Sequence, residues 1–120
     1  MAFQIRDDIL DICGTEEELG KPPGSDIRQG NITLPFILGL RSHPERERIA
    51  AYIEALREAP GAADPEPLLA LIRGSRELRE AEELSYRYAD KAIRALGRLP
   101  DCTARRQLAE IARFVVNRSY

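Results

Sequence analysis

The stretch Phe3-Gln4-Ile5-Arg6-Asp7-Asp8-Ile9-Leu10-Asp11-Ile12 places three aspartates among four aliphatic side chains within little more than one helical turn. Residues three or four apart on a helix are neighbours, so Asp7 and Asp11 lie nearly over one another and Asp8 and Asp11 sit side by side. Like charges at these spacings each cost an exposed helix about 0.2–0.5 kcal/mol, and burial raises the cost. Ile5, Ile9, Leu10 and Ile12 take up most of the remaining circumference and demand burial. The segment therefore has to fold into a helix whose acidic face is narrow and flanked by core. Two explanations are open: a solvated acidic face, or a divalent cation that compensates the crowded charge.

The downstream pattern is helical throughout, and the expected class is all-α. The first helix spans about Ala2 to Cys13 and stops at Gly14, as at a helix-terminating glycine. Thr15 to Asn31, with Gly20, Pro22, Pro23, Gly24 and Gly30, reads as a long loop with room for a short turn at Glu16 to Leu19. Loops of that length inside a compact domain usually carry function. Thr33 is placed to cap a second helix with Pro35 in its first turn. That helix, Leu34 to Leu40, is apolar all round and belongs in the middle of a bundle.

A third helix, about Pro44 to Ala59, carries the stripe Ile49, Tyr52, Ile53 and Leu56. Pro60 to Asp64 connects it to a short helix at Pro65 to Arg73. The longest helix, Ser75 to Gly97, has a narrow stripe of Leu78, Ala81, Ser85, Tyr88, Ala92 and Leu96, with Glu83 spaced to pair with Arg79 and Arg87. After Leu99-Pro100, Asp101 or Thr103 caps a last helix whose expected buried face is Leu108, Ile111, Ala112, Val115 and Val116.

At 120 residues the chain is expected to form one domain. The 18 Lys+Arg against 20 Asp+Glu give a net charge of −2, which argues against a nucleic-acid footprint or an anionic membrane surface. No apolar run is long enough for a membrane span, and nothing reads as a signal peptide. Cys13 and Cys102 make neither a disulfide framework nor a zinc motif, so reduced thiols in a cytoplasmic protein are expected, with Cys13 as a small buried hydrophobe. The single histidine, His43, sits in a loop-like Ser-His-Pro and does not suggest a triad.

Carboxylate ligation without histidine or cysteine selects a hard cation, Mg²⁺ or Mn²⁺, and Mg²⁺ commonly completes its shell with water and phosphate oxygens. Lys21 and Arg28 in the following loop are candidate phosphate cations, or else ordinary surface charges.

Phe3-Gln4-x-x-Asp7-Asp8-x-x-Asp11, followed by Gly20-Lys21-Pro22-x-Gly24-x-Asp26-x-x-x-Gly30-x-x-Thr33-Leu34-Pro35, resembles the second aspartate-rich region of the trans-isoprenyl diphosphate synthases. The remaining helices, through Ile111-Ala112-Arg113-Phe114-Val115 and Arg118, are similar to that family's C-terminal part. The Gly30-Asn31-Ile32-Thr33-Leu34-Pro35 variant looks most like long-chain, heptaprenyl-type synthases.

The resemblance implies the C-terminal helices of the isoprenoid synthase bundle, and Mg²⁺-dependent condensation of an allylic diphosphate with isopentenyl diphosphate. It implies Asp7 as a direct Mg²⁺ ligand, with Asp8 and Asp11 acting directly or through metal-bound water. Lys21 would contact the allylic diphosphate, Gln4 would line the site near the reacting carbons, and Arg118 would reach the substrate. Asn31 stands where many members carry a second lysine.

Only one aspartate-rich motif is present. The chain is accordingly expected to be part of a longer synthase, inactive alone, or else a non-catalytic helical partner subunit. Homo- or hetero-oligomerisation is expected in either case, since helices lacking their neighbours expose apolar surface.

Overall fold

Serine at position 75 starts the longest helix, because its hydroxyl accepts the Leu78 N–H at 3.1 Å. The structure, a computed structural model, describes residues 1–117. Among these the order is α1 (Ala2–Cys13), α2 (Glu16–Leu19), α3 (Ser25–Arg28), α4 (Leu34–Ser42), α5 (Arg46–Glu58), α6 (Glu66–Ile72), α7 (Arg76–Leu96) and α8 (Thr103–Asn117), with no strand. None of these helices is long and apolar enough to cross a membrane.

α7 packs against α1, α4 and α8. Its buried residues are Glu77, Ala81, Ser85 and Ala89, an i, i+4 row. Ala81 and Ser85 were expected there, but the row runs toward Ala89, leaving Ala92 exposed and Leu78 and Tyr88 half-buried. The small side chains let α1 approach, and Ile5, Ile9, Leu38 and Ala81 form one apolar cluster. Glu77, buried at the α7 N-terminus, accepts a hydrogen bond from the Ser42 hydroxyl at 3.1 Å. Glu83 pairs loosely with Arg87 at 3.9 Å, whereas Arg79 donates to the Gly74 carbonyl at 3.2 Å.

A second cluster gathers Ile12, Phe36, Ile49, Ile53, Leu56 and Ile72 with their neighbours from α3 and α6. α4 bridges the two clusters, as its apolar sequence demands, although Ile37 remains 51% exposed. Gly39 makes the bridge possible: a Cβ there would meet Ile72 Cδ1 at 2.8 Å and Ile49 Cδ1 at 3.3 Å. His43 has a structural role, its Nδ1 accepting the Glu45 N–H at 2.9 Å and its Nε2 lying 3.1 Å from the Leu71 carbonyl.

Three expectations are corrected. Thr33 stands at the N-cap position of α4 but makes no side-chain cap there, its buried hydroxyl having no hydrogen-bond partner. Gly14 ends α1 as expected, with φ −73 rather than a left-handed conformation, and a Cβ there would strike the Leu10 carbonyl at 2.8 Å and Leu19. Cys13 is exposed, one residue round from the inward Ile12. On α8 only Val116 is buried, because α7 and α1 cover one side of the helix and leave Leu108 and Ile111 outside.

Candidate functional site

α1 is fixed in place from three directions. Arg6 Nη1 donates to Glu82 Oε1 of α7 at 3.0 Å, with Arg6 largely shielded from solvent. At the other end Arg73 Nε donates to the Ile12 carbonyl at 2.8 Å and so satisfies one of the orphan carbonyls of the last turn. Arg73 is itself held by an ion pair with Glu66. Ile5, Ile9 and Ile12 face the core, which sets the aspartates at the edge where the loop crosses.

Asp11 organises that loop. Its Oδ1 accepts the Ser25 N–H and its Oδ2 the Asp26 N–H, both at 3.2 Å, while its backbone carbonyl accepts the Gly24 N–H at 2.8 Å. The carboxylate thus caps α3 across a gap of fourteen residues. Gly24, at φ +80, supplies the left-handed residue that aims these N–H groups, and a Cβ on it would sit 3.1 Å from Leu69 Cδ1. Lys21 Nζ stands 3.7 Å from Asp11 Oδ1 with its side chain about half exposed.

Gln4, Asp7, Asp11, Leu19, Lys21 and Asp26 line one cavity of about 240 Å³. Asp8 does not line it. It is buried, accepting a hydrogen bond from Gln4 Nε2 at 2.9 Å, and a backbone hydrogen bond from Leu34 also reaches it. Burial is the main cause that raises the Asp8 carboxyl above the ordinary carboxylate range; the Gln4 hydrogen bond opposes it, and the charges of Asp26 and Asp11 add to it.

The three aspartates therefore divide between two environments rather than sharing one patch. Among the described residues no three acidic, histidine or cysteine side chains converge closely enough to hold a metal ion alone. Arg28 is exposed in the last turn of α3 and does not line the cavity. Arg118 lies outside the described residues.

Asp26 joins the cavity without having been assigned a role from the sequence. Its carboxyl is raised, first by burial and then by Asp11, with Lys21 pulling it down. Its place within Gly24-x-Asp26 was visible, but its approach to Asp7 and Asp11 depends on α3. The cavity combines hard oxygen donors, one lysine cation and a carboxamide, which suits an anionic ligand bridged to a divalent cation.

The family model described as Polyprenyl synthetase matches residues 1–66, more than half the chain. Heptaprenyl diphosphate synthase component 2 of Geobacillus stearothermophilus is 42% identical over 120 residues, covering 100% of this chain and 36% of that protein. The crystal structure of heptaprenyl diphosphate synthase from Staphylococcus aureus matches with a TM-score of 0.82 and 32% identity, over 100% of this chain and 37% of that one. The polyprenyl synthase from Caulobacter crescentus CB15 complexed with calcium and isoprenyl diphosphate gives 0.80 and 38%, over 99% and 36%.

The chain spans roughly a third of the length of these relatives. Its all-helical arrangement is the isoprenoid synthase fold of those neighbours. A family model that covers the aspartate helix, the glycine-rich loop and α4, together with this agreement in sequence and fold, makes the chain a member of the polyprenyl synthetase family.

Proposed function

We propose that this chain is the part of a trans-polyprenyl diphosphate synthase that holds the diphosphate of the allylic substrate as it leaves. In this reading residues 1–120 act as one helical unit in the cytoplasm and carry the second aspartate-rich motif. The observation that carries the proposal is the meeting of Gln4, Asp7, Asp11, Lys21 and Asp26 around a single cavity. The Caulobacter neighbour, complexed with calcium and isoprenyl diphosphate, supports both the ligand class and a divalent cation.

The donor set fits Mg²⁺, since every candidate ligand is a carboxylate oxygen. Asp7 would hold the ion directly. Asp11 would offer the lone pairs that Ser25 and Asp26 leave unused, and Asp8, buried outside the cavity, orients Gln4. When bound, Mg²⁺ supplies positive charge against the diphosphate oxygens. Lys21 supplies the chain's own cation to the same oxygens as the carbon–oxygen bond ionises, and Arg118 is a further substrate contact. The Gln4 carboxamide, fixed by Asp8, lines the site beside the reacting carbons.

The acceptor is isopentenyl diphosphate and the product a longer trans-polyprenyl diphosphate of the heptaprenyl type. The first aspartate-rich motif has to come from further polypeptide, so condensation by this chain alone is not expected. The name of the Geobacillus relative, a component 2, supports completion by a partner subunit.

Calorimetric titration with inorganic pyrophosphate tests the site. Binding is expected only when Mg²⁺ is present, with Asp7→Asn and Lys21→Ala each weakening it roughly tenfold or more, about 1.4 kcal/mol. Pyrophosphate binding that is indifferent to Asp7→Asn, or absent at millimolar ligand, would remove the proposal.

A further inference from the structure

α1 ends without a cation of its own. Its last turn holds no basic residue, and Asp11 adds negative charge to a helix terminus that is already negative. Arg73, at the end of α6, supplies what is missing. Its Nε donates to the Ile12 carbonyl at 2.8 Å across 61 residues of chain, and its Nη1 is held by Glu66 at the other end of the same helix. That side of α6 also lies under the loop. Pro65, Leu69 and Arg73 stand four residues apart, and a Cβ on Gly24 would meet Leu69 Cδ1 at 3.1 Å and Pro65 Cγ at 3.4 Å. Gly24 donates its N–H to the Asp11 carbonyl at 2.8 Å and leads into the two N–H groups, of Ser25 and Asp26, that bond the Asp11 carboxylate. One side of a seven-residue helix thus touches both the end of α1 and the start of α3, where the Asp11 and Asp26 walls of the cavity join. α6 itself lends no side chain to that cavity.

We infer that α6 is the clamp that sets the α1 carboxylates against Asp26, with Arg73 as its positioning residue. Ile12, Ile27 and Leu69 share an apolar cluster, but apolar contact is non-directional and does not by itself fix the rotation of α1. A planar guanidinium gripped by Glu66 and donating from Nε fixes a direction as well as a distance. Ile12 follows Asp11 directly, so a shift of the Ile12 carbonyl moves Asp11 and, with it, the N–H groups of Gly24, Ser25 and Asp26. The expected effect on ligand binding rests on the diphosphate reading above; the clamp on the loop stands apart from it.

Arg73→Met keeps the aliphatic stem and removes the charge and its donors. Hydrogen exchange in chelator reads the clamp without ligand: the Gly24, Ser25 and Asp26 amides should exchange roughly tenfold faster, or more, in this variant. Calorimetry with Mg²⁺ and pyrophosphate, at a temperature where every variant is folded, should give a dissociation constant roughly tenfold higher. Arg73→Lys keeps a cation and a donor at that point and should recover part of both losses. Val116→Ala thins the buried contact of α8, away from the clamp, and should lower the Tm without moving either readout. Loop amides that keep the wild-type rate in Arg73→Met would overturn the inference whether or not pyrophosphate binds. So would a dissociation constant raised as much by Val116→Ala as by Arg73→Met, since the loss would then follow stability alone. Faster loop amides in Arg73→Met, beside a wild type that binds no pyrophosphate, would uphold the clamp and remove the diphosphate reading instead.

Discussion

Asp8 and Asp11 are three residues apart and chemically identical, yet the fold treats them differently. Asp11 receives two backbone N–H groups and a nearby lysine, while Asp8 is enclosed beside Gln4 and its carboxyl is raised, chiefly by burial. A raised carboxyl binds its proton more tightly in the folded chain than in the unfolded one. Its contribution to stability is thus complete below the unfolded value, near 3.8, and declines as pH rises through the higher folded value. Asn at this position keeps an acceptor for Gln4 and carries no charge. Asp8→Asn should therefore gain in Tm relative to the wild type as pH is raised from 3.8 to 7, in metal-free buffer. Thermal denaturation across that window checks it, and a Tm difference independent of pH would show that burial does not control Asp8.

A four-residue helix such as α3 is too short for periodicity to reveal, and its glycine- and proline-flanked sequence reads as loop. What stabilises it is tertiary: Asp11, from a different helix, caps its start, and Ile27, 2% exposed, anchors it in the core. Charge-assisted hydrogen bonds contribute about 1.5–3 kcal/mol each at their usual short length, and these two, at 3.2 Å, about 1–1.5 kcal/mol each. Asp11→Ala should lower the unfolding free energy by about 2–3 kcal/mol, and Asp11→Asn by roughly half as much, in urea with a chelator present. Gly24→Ala should cost about 1–2 kcal/mol by forcing a Cβ into the left-handed region beside Leu69. Stabilities unchanged in chelator would mean that the loop is not pinned by Asp11.

Longer elements were more legible. The Ile49, Ile53 and Leu56 stripe is buried as its spacing implies, and Ser75 caps α7. Gln4, Asp7, Asp11 and Lys21 were all singled out from the sequence, and the cavity brings them together. Asp26 and the sequestration of Asp8 were not legible, because both depend on how the loop folds back over α1.

At the scale of the molecule the core is divided. One cluster lies among α4, α5, α6 and the ends of α1 and α3, another among α1, α4 and α7, and α8 belongs to neither. The Cα radius of gyration is 16.5 Å, above the roughly 13.6 Å of a compact domain of this length, and the extents of 53 × 30 × 21 Å describe an elongated body. Local opening follows buried apolar contact, so an element with one buried side chain, Val116, should open at lower free energy than one such as α5 with Ile49, Ile53 and Leu56 inside. Hydrogen exchange should show α8 amides exchanging at least tenfold faster than those of Ile49 to Leu56. The α1 amides near Ile9 should be protected nearly as well as those of α5, because α1 is held by α7 and, through Arg73, by α6. Equal protection across α5 and α8 would mean that the single face α8 shares with α7 and α1 couples it to global unfolding after all.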